Sequence, residues 1–141
     1  MNVLDDIATW LASTSTGISG TIGGGVSTAM PVYKMKQPAS TGNMYVIYQY
    51  GGMAPEPIAD GTIDNPRVQV KTISSATSDS GYSAALTAQN RLRYVANRYL
   101  PTSTGNLYLH IQPLQSPESL GTDANNRMEW VQNFQVQLSY S

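Results

Sequence analysis

The sequence contains no cysteine. Disulfide staples, thiolate metal sites and a cysteine nucleophile are therefore excluded. The one histidine, His110, cannot build a multi-histidine metal site, and no nucleophile-elbow motif is present to make it part of a serine triad. Charge is scarce too. Eight basic and nine acidic residues make up 12% of the chain, against about 25% in ordinary soluble domains. With a net charge of −1, no basic field exists to draw in nucleic acid or an anionic membrane. No apolar run reaches the roughly 18 residues of a membrane-spanning helix. The opening "MNVLDDIATWLAST" carries acids where a secretory signal carries bases. The expectation is a soluble protein made in a cytoplasm-like compartment.

What is abundant is uncharged polarity: Ser, Thr, Asn and Gln account for 46 of the 141 residues, against 17 charged ones. Such a surface loses less solvation than a charged one when another protein covers it. The composition fits an assembly component, and a secreted or viral origin gives the same bias. The length suits one domain with a core that needs no staples.

Periodicity divides the chain. In residues 2–12, Val3, Leu4, Ile7 and Leu11 fall on one helical face with Trp10 beside them. Asn2 can cap this helix, and Asp5 and Asp6 sit at its positive end as solvated acids. Residues 13–43 are rich in Gly, Ser and Thr and read as a long polar loop, with "AMPVYKM" forming a short strand within it. Its "GISGTIGGG" lacks both the Gly-Lys-Ser/Thr ending and the preceding strand of a phosphate loop.

"MYVIYQYGG", residues 44–52, is an aromatic and β-branched strand covered on both faces. Residues 51–66 read as an exposed loop with three prolines and three acids, and "RVQVKTI" as a strand with one polar face. From Ser78 or Asp79 to Pro101, the stripe Ala85, Leu86, Leu92, Val95, Ala96 and Tyr99 predicts a long helix. Arg91 and Arg98 share a neighbouring polar face, and Arg93 points elsewhere. In "LYLHIQPL", Leu107, Leu109 and Ile111 alternate with Tyr108, His110 and Gln112, which puts His110 on the less buried face.

The chain closes on a polar turn and a long strand. Even positions Met128, Trp130, Phe134, Val136, Leu138 and Tyr140 are apolar apart from Gln132, and odd positions are mostly polar. The expected order is helix, two strands, helix, two strands: an α+β domain over residues 1–141, mostly antiparallel, with the helices on one face. No catalytic residue, cofactor or metal site is expected. "DANNRME" has a calcium-loop flavour at Asp123 and Asn125 but lacks the central glycine and terminal acid. Tyr45, Tyr48 and Tyr50 lack the interleaved bases of a nucleic-acid stacking platform.

Taken in order, "DDIATWL", "TGISGTIGGG", "AMP", "VIYQYGGMAPEP", "NPRVQVKTIS", "AALTAQNRL" and "QSPESLGTDANNRMEWVQNFQV" resemble the minor capsid or tail terminator (tail completion) proteins of long-tailed bacteriophages. The closing segment, with its Ser-Pro, Leu-Gly-x-Asp turn, arginine and Asn-Phe, carries most of the likeness. The resemblance implies a fold similar to the lambda-type terminator. It implies a homohexameric ring on the head-proximal end of the tail tube, which stops tube polymerisation and docks the head-completion proteins of the neck. The implied partners are the tail tube protein, the neck and the tape-measure protein. Viral DNA passes through the lumen without sequence-specific binding, and the location is the virion, reached from the host cytoplasm.

Within that resemblance, Lys71, Arg91, Arg98, Glu129, Asn133, Gln135 and Gln137 are candidates for the subunit interface or lumen. Met53, Glu56, Asp60 and Asp64 are candidates for docking loops, and Pro117, Gly121, Asp123 and Arg127 for a structural turn. Asn133 is expected either at an interface or bonded to the Asp123–Arg127 turn. Three rival readings remain: another neck component (a head-completion or stopper protein), a carbohydrate-binding module favoured by the nine tyrosines, and, last, an enzyme for which the sequence offers no site.

Overall fold

The computed structural model describes residues 3–12, 32–37, 43–75, 80–100 and 105–140. The glycine-rich expectations for residues 13–31 lie outside them. The elements in chain order are α1 (Val3–Ala12), β1 (Val32–Lys34), β2 (Met44–Ile58), β3 (Gly61–Ser75), α2 (Ser80–Arg93), β4 (Ala96–Tyr99), β5 (Asn106–Pro113), β6 (Glu118–Thr122) and β7 (Arg127–Tyr140). The strands form one mixed sheet in the order β1-β2-β3-β7-β5-β4, with β6 also on β7. Among the described residues only the β1–β2 pairing is parallel.

The α+β class and the antiparallel bias agree with the sequence reading, but the strands are more numerous. β7 is the centre of the sheet. β3 pairs with it from Arg127 to Tyr140 on one side. On the other side β6 takes Met128–Val131 and β5 takes Phe134–Tyr140. The period-2 pattern of β7 is realised in this position: Phe134, Val136 and Leu138 are fully buried beneath the helices. They join Tyr45, Ile47, Val68, Val70 and Tyr108 from the sheet with Ile7, Trp10, Leu11, Ala88 and Leu92 from the helices. Full burial of each large aliphatic or aromatic side chain is worth about 1.5–3 kcal/mol. A smaller cluster of Met44, Val46 and Ile73, flanked by Tyr33 and Tyr48, lies on the opposite face. That cluster explains why the 44–48 run reads as apolar on both faces.

Three expectations are corrected. Residues 51–66 are not a loop: β2 and β3 run on as one long hairpin, closed by Ala59 and Asp60 between the paired Ile58 and Gly61. Proline is tolerated because this part of β2 is a sheet edge. Pro55 falls in the register shift between Met53 and Glu56. Pro57 directs its missing donor outward, since Ile58 and Gly61 close the turn. Gly52, at φ +121, lies against the backbone of Asn65 where no side chain fits.

The long helix stops at Arg93, and Ala96–Tyr99 turns back as a strand against β5, with Asn97 at φ 48. Left-handed backbone at an asparagine cannot continue a helix. The phase of β5 also changes, because a register shift between Tyr108 and His110 leaves Leu109 out of step. Tyr108 is consequently fully buried, against the expected exposure, while Leu107 and Leu109 are half-buried.

Candidate assembly surfaces

The sheet face turned away from the helices is tied together by amides. Gln69 Nε2 donates to Asn133 Oδ1 at 3.2 Å, and Asn133 Nδ2 donates to Gln115 Oε1 at 3.2 Å. Gln135 accepts from Arg67 Nε at 3.1 Å and donates to the carbonyls of Asn65 and Pro66 at 2.9 and 3.2 Å. Gln137 Nε2 reaches Asn65 Oδ1 at 3.0 Å. Beside this network Lys71 pairs with Glu129 at 3.1 Å and donates to Gln37 at 3.3 Å. The structure thus brings Lys71, Glu129, Asn133, Gln135 and Gln137 onto one half-buried face, because cross-strand partners in β3 and β7 share a side. Asn133 bonds across this face and not to the Asp123–Arg127 turn.

Arg91 and Arg98 are elsewhere. Arg91 is fully buried: its Nε donates to the Trp10 carbonyl at 2.9 Å, and its guanidinium lies 4.9 Å from the Trp10 ring centroid. Trp10 Nε1 returns a bond to the Arg91 carbonyl at 3.0 Å. This reciprocal staple joins α1 to α2 and leaves Arg91 no surface for a lumen or subunit contact, which corrects the sequence expectation. Arg98 is half-buried in β4, with its guanidinium 5.7 Å from the Trp10 ring and 5.3 Å from Tyr94.

Asp6 is likewise interior, not solvated. It accepts from Tyr108 Oη at 2.6 Å and from Asn106 Nδ2 at 3.5 Å. Burial pushes the Tyr108 phenol up, and the Asp6 carboxylate pushes it further in the same direction. Asp5, half exposed, pairs with Lys34.

The β6–β7 turn is built on Asp123. Its Oδ1 accepts from the backbone N–H of Asn125 and of Arg127, both at 2.9 Å, and its Oδ2 accepts from Arg127 Nε at 2.8 Å. Burial pushes this carboxyl up, but the Arg127 and Asn125 hydrogen bonds and the Arg127 charge outweigh that and hold it below its ordinary value. Gly121, at φ 85, sits within β6, and Pro117 is buried just ahead of it.

The hairpin formed by β2 and β3 carries the remaining candidates. Met53, Glu56 and Asp60 are exposed and Asp64 is half-buried. Tyr50, Met53 and Ile58 add exposed apolar surface. Across the sheet, β4 pairs only with Leu107–His110 of β5. An open depression of about 520 Å³ lies beyond it, lined by Arg93, His110, Ile111, Gln112 and Pro113. Sequence reasoning missed this notch because it depends on where β4 begins, and the helical stripe hid that boundary. Among the described residues no three His, Cys, Asp or Glu side chains gather to hold a metal ion, and no helix is long and apolar enough to cross a membrane.

Residues 11–140 match the family described as bacteriophage tail terminator protein. The chain belongs to that family. As a tail terminator family member it is a structural protein of a phage tail. Among solved structures, the fold is similar to a chain from the virion of a native gene transfer agent particle. That likeness has a TM-score of 0.60 at 13% identity and covers 95% of this chain and 93% of that one. No curated protein sequence matches.

Proposed function

We propose that this protein caps the head-proximal end of a phage tail tube as a ring of six copies. The cap stops tube polymerisation and offers its other face to the head-completion proteins of the neck. The family match across residues 11–140 is the observation that carries the reading. Two structural features are consistent with it. The amide-laced outer face of β3 and β7 exposes few charges, so a neighbour can cover it at low desolvation cost. Among the described residues the sheet also leaves unpaired the outer side of β4 and the part of β2 beyond its β1 partners, edges that ring closure can cover. With a net charge of −1, the chain has little to hold DNA on its way through the lumen.

The test is the native mass by light scattering, for the protein alone and then with polymerising tail tube protein. Tube length is read in parallel by electron microscopy. The expected outcome is a hexamer of the 15.2 kDa chain, either free or formed on tubes, with elongation arrested. A monomer that ignores growing tubes overturns the proposal.

A further inference from the structure

We infer that subunits join head to tail through a tip-in-notch contact, in which the β2–β3 hairpin tip of one copy seats in the β5 depression of the next. The inference rests on the ring reading above and names the surfaces that close the ring.

The notch exists because β5 outruns β4. β5 spans Asn106–Pro113, while β4 pairs only with its Leu107–His110 portion. Beside the uncovered end stands Arg93, the exposed last residue of α2. The resulting depression offers an apolar floor at Ile111 and Pro113 with a cationic rim at Arg93.

The tip has the complementary character. Ile58 is 43% exposed beside the turn, and Asp60 and Glu56 are exposed around it. Residues 50–66 contain three acids and no base.

Ion pairing within the subunit leaves the charges of both features available. Lys34, Lys71 and Arg127 each have an acid of their own, in Asp5, Glu129 and Asp123. Among the described residues Arg93 pairs with no carboxylate, and Glu56 and Asp60 pair with no cation. Lys36, Arg67, Arg98, Asp64 and Glu118 also lie outside the three ion pairs, so the pairing leaves the tip and notch charges available without singling them out. The two features cannot meet inside one subunit. The tip lies beyond the β3 end that aligns with Tyr140 of β7, whereas the notch aligns with Phe134, on the far side of β7. A second copy can bring them together. Because the two surfaces differ, the contact is heterologous, the kind that closes into a ring when the rotation permits.

The absence of native cysteine makes the contact directly testable. An Asp60→Cys/Arg93→Cys double variant is oxidised under the conditions in which the wild type assembles, free or on tubes. The expected product is a ladder of covalent multimers up to a closed ring, with each single variant remaining monomeric on a denaturing gel. Charge exchange supplies the second arm. Asp60→Lys and Arg93→Glu each lower assembly at least tenfold, and together they restore it. Both positions are exposed, so unchanged melting curves are expected for every variant. If wild type caps tubes but the double-cysteine variant stays uncrosslinked and the charge reversals are silent, the tip-in-notch contact is wrong and the ring reading survives. If wild type leaves tubes uncapped, the ring reading itself fails.

Discussion

Asp123 shows how much a single side chain can organise. Its carboxylate satisfies two backbone donors and one guanidinium at the entry to β7. The folded carboxyl titrates below its ordinary value of 3.8. Its contribution to stability is therefore fully present above that value and is lost as pH falls through the folded one. Asp123→Asn should lower the melting temperature at neutral pH, with the gap from wild type closing as the pH drops below about 4. A gap of constant size down to pH 2 contradicts this account.

Tyr108 offers a second residue-level test. Tyr108→Phe removes the 2.6 Å bond to Asp6 and leaves a buried carboxyl short of one donor. The expected loss is about 1–3 kcal/mol in denaturant unfolding. Neither this pair nor the Arg91–Trp10 staple was legible in the sequence. The partners are 102 and 81 residues apart, and local periodicity carries no information about which distant polar groups will share an interior. Asp5 and Asp6 look alike as a sequence pair, yet one is half exposed on Lys34 and the other buried under Tyr108.

Among the elements, the readable ones were those whose two faces differ. β7 and the later part of β3, from Arg67 to Ile73, announce themselves by alternation, and α1 by its stripe. The β2–β3 hairpin beyond Tyr50 was hidden because Gly51, Gly52, Pro55 and Pro57 are loop residues by composition and acceptable only on an edge strand. α2 was read too long because Val95, Ala96 and Tyr99 keep helical spacing after the helix has ended. Its other end holds a sharper constraint. Gly81 sits where a Cβ would come within 2.8 Å of Trp130 Nε1 and would also crowd Ser74 Oγ. Alanine is the better helix former, yet Gly81→Ala should destabilise by about 1–3 kcal/mol because the helix must back away from the sheet. Chemical denaturation decides between the two effects. A stabilised variant would mean that propensity outweighs packing here.

At the level of the whole molecule, the element reached latest in chain order is the one on which most others depend. β3, β5 and β6 all hydrogen-bond to β7, and the residues 61–75 that pair with it lie far away in sequence. Sheets dominated by such distant pairings fold in milliseconds to seconds, and stopped-flow refolding should fall in that range. A version ending after Asn126 should be unfolded by circular dichroism. A version lacking only Val3–Ala12 should keep strand signal while losing the helix cover over Phe134. A folded sheet without β7 would refute this hierarchy.

The central place of β7 also bears on how errors in protein synthesis are handled. A chain interrupted before β7 lacks the strand on which β3, β5 and β6 pair, so neither the hairpin tip nor the notch is expected to take shape on it. In the proposed ring, such a fragment would have no surface with which to occupy a position among intact neighbours. If subunits join as proposed, translation must run through β7 before one becomes adhesive, and the topology itself would then inspect each copy before admitting it.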